Sequence, residues 1–189
     1  MKKMQYASTS SGMTTKMVVF QIGMAIFGLT MSIPGQLNDL LFILTGLLAI
    51  GMYWFLLWTM TYEFGQRDRI RADAGRIRPQ FHKGFVKALI ANSVNIGLAV
   101  ISLVSKLLVD NLPFFGEPQE AIYYTPAWAA TTYAITEVFA SIAQAMYMAP
   151  RLLWFRHNPI VLLLMPLPAI IVSGLGFYFG FMSEKKIQL

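Results

Sequence analysis

The sequence predicts an all-α fold: a polytopic membrane helix bundle of about five transmembrane helices with its N-terminus in the cytoplasm. Three observations predict it. Of the 189 residues, 56% are hydrophobic and 13% are charged, against a usual charged share of ~25%. A soluble globule of this size cannot hide so much apolar surface behind so few charges. The apolar residues are gathered into long runs almost free of charge, and the cations fall between those runs on one side of the predicted bilayer.

The elements follow in order. Residues 1–16 read as a cytoplasmic polar arm, with Met1, Lys2 and Lys3 followed by the stretch Gln5 to Thr15. The first apolar run, 17–33, ends in Ser32-Ile33-Pro34-Gly35 without an A-x-A site, so it reads as a retained helix and not a cleaved signal. The second, 40–62, carries no charge. The third, 86–109, is interrupted by Lys87 and Lys106. The fourth, 127–149, contains Glu137, and the fifth is 160–182. About 20 helical residues rising ~1.5 Å each cross a ~30 Å hydrocarbon core. The runs are too long for barrel strands and lack their period-two alternation. With no repeat visible, the whole chain 1–189 reads as one integral membrane domain.

Orientation follows from Lys and Arg in the connections. Under alternating topology the N-terminal arm, the segment 63–85 and the connection bearing Arg151 and Arg156 share one side, and they hold most of the 15 cations. The opposite connections, Pro34 to Asp39 and Asp110 to Pro126, hold no Lys or Arg but carry Asp39, Asp110, Glu117 and Glu120. The cationic side is therefore read as cytoplasmic, in a plasma (cytoplasmic) membrane. The fifth segment allows two courses. Its uninterrupted apolar length favours a full span, which places Lys185 and Lys186 outside. Charge favours a re-entrant segment broken near Pro166 and Pro168, returning them inside. Proline in a membrane helix more often only kinks it, so the expectation is five spans.

The loop 63–85 is the substantial polar segment. Arg67, Arg69, Arg71, Arg76 and Arg78 lie within it, partly offset by Asp68 and Asp73, and the run could form a short helix ending near Gly75 and Pro79. Its plain reading is a topology determinant that touches anionic headgroups, each cation contributing ~1 kcal/mol near the surface. The functional reading is a dock for a soluble protein partner. Nucleic acid is not expected, because the arginine run holds no aromatic stacking platform.

Inside the bundle, Ala88, Asn92, Asn95, Ala99, Ser102 and Lys106 recur at steps of three and four along the third helix, and Ala130, Ala134, Glu137, Ser141 and Gln144 do so along the fourth. Small residues permit close helix approach, and polar ones face neighbours to avoid lipid. Matching the midpoints of two antiparallel helices brings Asn92, Asn95, Ser141 and Gln144 together in the cytoplasmic half, with Glu137 at the top of the cluster. Glu137 is the one acid deep within a predicted span. Each residue has a plainer reading: the amides and Ser141 as packing glue, Lys106 snorkelling or pairing with Asp110, and Gln21 and Thr30 as minor polar residues. Gly176 and Gly180 match a small-xxx-small pattern and weakly suggest homo-oligomerisation. Tyr123, Tyr124, Trp128, Trp154 and Phe155 fit interface belts.

Enzyme chemistry is not expected: there is no H-E-x-x-H, no phosphate-binding Gly-rich loop and no G-x-S-x-G. Cysteine is absent and His82 and His157 are the only histidines, so no cofactor or metal is implied. Two function classes remain. One is a transport component, a small permease or the membrane subunit of a larger transporter, using the polar stripe. The other is a non-transporting assembly, regulatory or sensory subunit that docks a protein through the arginine loop.

Overall fold

The computed structural model describes residues 2–35, 38–110, 127–147 and 159–183, and all regular structure among them is helical. Helix α1 is Lys2–Gly35 and α2 is Asp39–Asp73; α3, Lys83–Ala91, is followed by α4, Ser93–Asp110. Then come α5, Ala127–Ala143, a 3₁₀ turn at Ala145–Tyr147, α6, Pro159–Leu164, and α7, Pro166–Met182. Three helices are long and apolar enough to cross a membrane: Gly12–Ile33 within α1, Asp39–Asp73, and Ile160–Met182 formed by α6 and α7. The pair α3 and α4 makes a fourth if counted as one bent span. Arg151, Arg156, His157, Trp154, Phe155, Glu117, Glu120, Tyr123, Tyr124, Lys185 and Lys186 lie outside the described residues.

Helix α2 starts on Asn38, whose side-chain oxygen accepts from the Leu40 N–H at 2.8 Å, with Asp39 in the positively polarised first turn. It runs unbroken for 35 residues, so at ~1.5 Å per residue about 20 Å projects beyond a ~30 Å apolar core. The first half of the expected loop 63–85 is therefore helix. Its charges support that helix on two faces: Glu63 with Arg67 at 3.5 Å and Arg69 with Asp73 at 3.6 Å, each four residues apart. The end is a Schellman motif. Gly75 adopts φ 66°, the Arg76 N–H reaches the Arg71 carbonyl at 2.9 Å and the Gly75 N–H reaches Ala72 at 2.9 Å.

Helices α1 and α2 form an antiparallel hairpin, with Lys16 over the Phe64 ring at one end and Gly28 to Ser32 facing Phe42 to Ala49 at the other. Helix α7 runs parallel to α2. Glycines let their backbones touch: a Cβ at Gly65 would overlap the backbone of Phe177 and Phe181, one at Gly180 the Tyr62 carbonyl, and one at Gly176 Thr61 Oγ1 and the Trp58 backbone. The Gly176 and Gly180 face is thus occupied by α2 of the same chain, which replaces the homo-oligomer reading of that motif. The contact continues to the ends of both helices. Tyr62 Oη donates to Ser183 Oγ at 2.8 Å, and Arg69 Nη1 donates to the Met182 carbonyl at 2.8 Å, capping the negative end of α7.

This parallel packing corrects the alternating five-span scheme. That scheme sets the fifth helix antiparallel to the second, whereas α7 ends beside the arginine-rich end of α2. Together α6 and α7, Ile160–Met182, are long and apolar enough to cross a membrane despite the turn at Met165. The polar arm is corrected too, since α1 begins at Lys2. Two further corrections concern span length. The third run is not one straight helix, because α3 and α4 meet at 56° across Asn92. The fourth helix ends at Ala143 and not at 149.

Candidate functional site

Three interruptions border one apolar cluster formed by Met24 of α1, Tyr53 and Leu57 of α2, Ala91, Met146, Tyr147 and Ala169, with Met165 packed against it. The first is the bend at Asn92, which sits at φ −90° and ψ 3°, outside ordinary helix geometry. Asn92 is buried, and its side chain adds a second donor to a carbonyl that its own backbone N–H already serves at 3.0 Å. Asn92 Nδ2 donates to the Ala88 carbonyl at 3.0 Å, and Asn92 Oδ1 accepts from Gln21 Nε2 at 3.1 Å. Gln21 on α1, expected to be incidental, is therefore the buried partner that fixes the break.

The second interruption is the end of α5. Beyond Ala143 the chain passes Gln144 into the 3₁₀ turn, which lies backbone to backbone on α1: a Cβ at Gly28 would come within 2.5 Å of Met146 N and 2.6 Å of Ala145 C. Tyr147 holds the turn to α2, its ring edge-on to Tyr53 with centroids 6.1 Å apart and its hydroxyl accepting from Trp54 Nε1 at 3.3 Å. The third interruption is Met165–Pro166. Pro166 has no N–H, so the Leu162 carbonyl one turn earlier lacks its helical donor. Gln144 Nε2 supplies one at 3.0 Å. A proline's i−4 carbonyl is a signal readable from sequence, and it nominates a nearby buried amide.

The expected cluster is thereby divided. Asn92 and Asn95 are both buried, but Asn92 is engaged with Gln21. Gln144 is engaged with Leu162. Ser141 donates to the Glu137 backbone carbonyl within its own helix, and Glu137 is half-buried on α5, which packs against α4. Ala99, Ala140 and Leu162 form the apolar contact between α4, α5 and α6. Two buried polar atoms close to these residues have no hydrogen-bond partner among the described residues: Gln144 Oε1 and Ser102 Oγ. Such groups are costly in an apolar interior unless something else serves them.

The arginines also divide. Arg69 and Arg71 turn inward, Arg69 to α7 as above and Arg71 to the buried Asp68 at 3.7 Å. Asp68 also pairs with Lys83 at the start of α3, so this acid, expected only to offset charge, joins α2 to α3. The turn between them is closed by Phe81, which packs on Phe181 and Tyr178 at centroid distances of 5.1 and 6.1 Å. Arg67 pairs with exposed Glu63. Arg76 and Arg78 are exposed in the turn after α2.

The class these features define is an all-helical protein with three to four apolar helices able to cross a membrane. No family model, curated protein or solved structure matches the chain.

Proposed function

We propose that the chain is a transport component of the plasma membrane, a small permease or the membrane subunit of a larger transporter, with its N-terminus, arginine-rich end and C-terminal tail in the cytoplasm. The observation that carries this reading is the 56° break between α3 and α4, held by a buried Asn92–Gln21 pair at 3.1 Å. Discontinuous helices whose freed backbone faces buried polar groups are how transporters build binding sites near mid-membrane. The early end of α5, the proline break before α7 and Gln144 Oε1, which has no partner among the described residues, add to it. In this reading Asn92, Asn95 and Gln144 line the path. Glu137 supplies the ionisable group on α5 and Ser141 lies one turn on, because an acid retained at membrane depth is more often functional than incidental.

A second reading has its own observation: Arg76 and Arg78 stand exposed on a turn held beyond the apolar core by the extension of α2. That suits a regulatory or assembly subunit docking a soluble protein. Purification from native membranes in mild detergent separates the two. Transport is supported by a stoichiometric transport ATPase, or by a solitary chain that binds solute. It is overturned by a stoichiometric partner with no transport role.

A further inference from the structure

A cavity of about 360 Å³ opens between α1 and α2 near their arginine-rich end. Val19, Phe20, Leu56 and Met60 form its apolar wall, and Lys16 and Glu63 stand at its mouth. The volume lies in the ~300–1,000 Å³ range of ligand pockets. The track does not stop at the cavity. One and two turns further, Ile22 and Ile26 on α1 and Met52 on α2 stay exposed at 56%, 59% and 43%, so an apolar strip leads from the mouth toward mid-membrane along one helical face.

The mouth has a definite charge. Glu63 pairs with Arg67 at 3.5 Å, so the rim carboxylate is already answered. Lys16 makes no ion pair among the described residues. Its Nζ stands 5.6 Å from the centroid of the Phe64 ring, and the Arg67 guanidinium is 5.8 Å from the same ring. The mouth thus keeps one uncompensated cation, held at the head of an apolar track. A free anion would use the cation but not the track, and a zwitterionic lipid would use the track but bring no net charge to the cation. We infer that the groove binds one acidic phospholipid, its phosphate on Lys16 and an acyl chain along Val19, Phe20, Leu56 and Met60. The site is independent of the transport reading.

Native mass spectrometry of the full chain in detergent tests this, with phosphatidylglycerol and phosphatidylcholine of identical chains offered together. One cation facing a net anionic headgroup, as against a zwitterionic one whose own ammonium offsets its phosphate, is worth about fivefold in retention. The expected result is one retained lipid per chain, phosphatidylglycerol over phosphatidylcholine by about that factor. Lys16→Gln should bring the two lipids to parity, Lys16→Arg should keep the preference, and Val19→Trp, filling the groove, should lose both adducts. Equal retention of the two lipids by the unaltered chain overturns the site without need of any variant. So does a preference that survives Lys16→Gln, or displacement of the lipid by soluble glycerol phosphate.

Discussion

Gln144 donates its side-chain amide to the main-chain carbonyl of Leu162 at 3.0 Å, and Pro166 is the reason that carbonyl is open. One helix is interrupted by proline, a second ends early, and a single side chain joins them. Replacing Gln144 by Leu removes the donor and leaves a buried carbonyl unpaired, which costs about 1–3 kcal/mol. Pro166→Ala returns an N–H to the Leu162 carbonyl. In the Gln144→Leu background it should recover much of the loss, whereas in the unaltered chain it should gain little. Thermal unfolding of the four variants in detergent measures the coupling.

The α2–α7 contact predicts opposite outcomes for glycines that look alike in sequence. Gly180→Ala drives a methyl into the Tyr62 carbonyl and should destabilise the protein by about 1–3 kcal/mol. Gly97→Ala on α4 meets nothing within 4 Å and should be neutral or stabilising by up to about 1 kcal/mol through helix propensity. Equal effects in an unfolding series would refute the close contact.

The parallel course of α2 and α7 predicts that their C-terminal ends share a side. The chain contains no cysteine, so single cysteines at Gly75 and Gln188 report cleanly. With an impermeant thiol reagent on intact cells both positions should stay unlabelled, while cysteines at Gln36 and Gln119 should label. Labelling at 188 without labelling at 75 contradicts the packing.

Much of this arrangement was legible in the sequence, for reasons that particular residues make clear. Composition and charge-free length suffice for the apolar helices, because neither depends on what touches what. The arginine run reads as a short helix ending near Gly75, where α2 does end; what the reading missed is that this helix continues α2, although the spacing of Glu63 with Arg67 and Arg69 with Asp73 is that of one helix. The bend at Asn92 had no such signal: no proline or glycine marks it, and Asn92 fits the three-and-four stripe of a straight helix equally well. The contact made at the bend is tertiary, Gln21 reaching Asn92 from another helix at 3.1 Å. Nothing in the structure explains why α5 stops at Ala143. Matching helix midpoints set Gln144 opposite Asn92 and Asn95 because it assumed full-length straight helices, and it missed Leu162. Gly176 and Gly180 announced a close contact but not whether its partner was the same chain.

The central claim is that the break at Asn92 lies on a path that opens to water, and not in a permanently packed interior. Cysteine accessibility in native membranes tests it most directly, using a small, charged, water-soluble thiol reagent on two variants of the cysteine-free chain. Asn95→Cys reports from the polar side of the break, where Asn95 is 5% exposed. Ala140→Cys reports from the apolar contact between α4, α5 and α6, where Ala140 is fully buried. Both positions are closed in this structure, so reaction at either requires an opening motion. The account predicts that Asn95→Cys reacts while Ala140→Cys does not. If both stay unreactive, or both react alike, Asn95 is packing glue between helices and the transport reading is wrong.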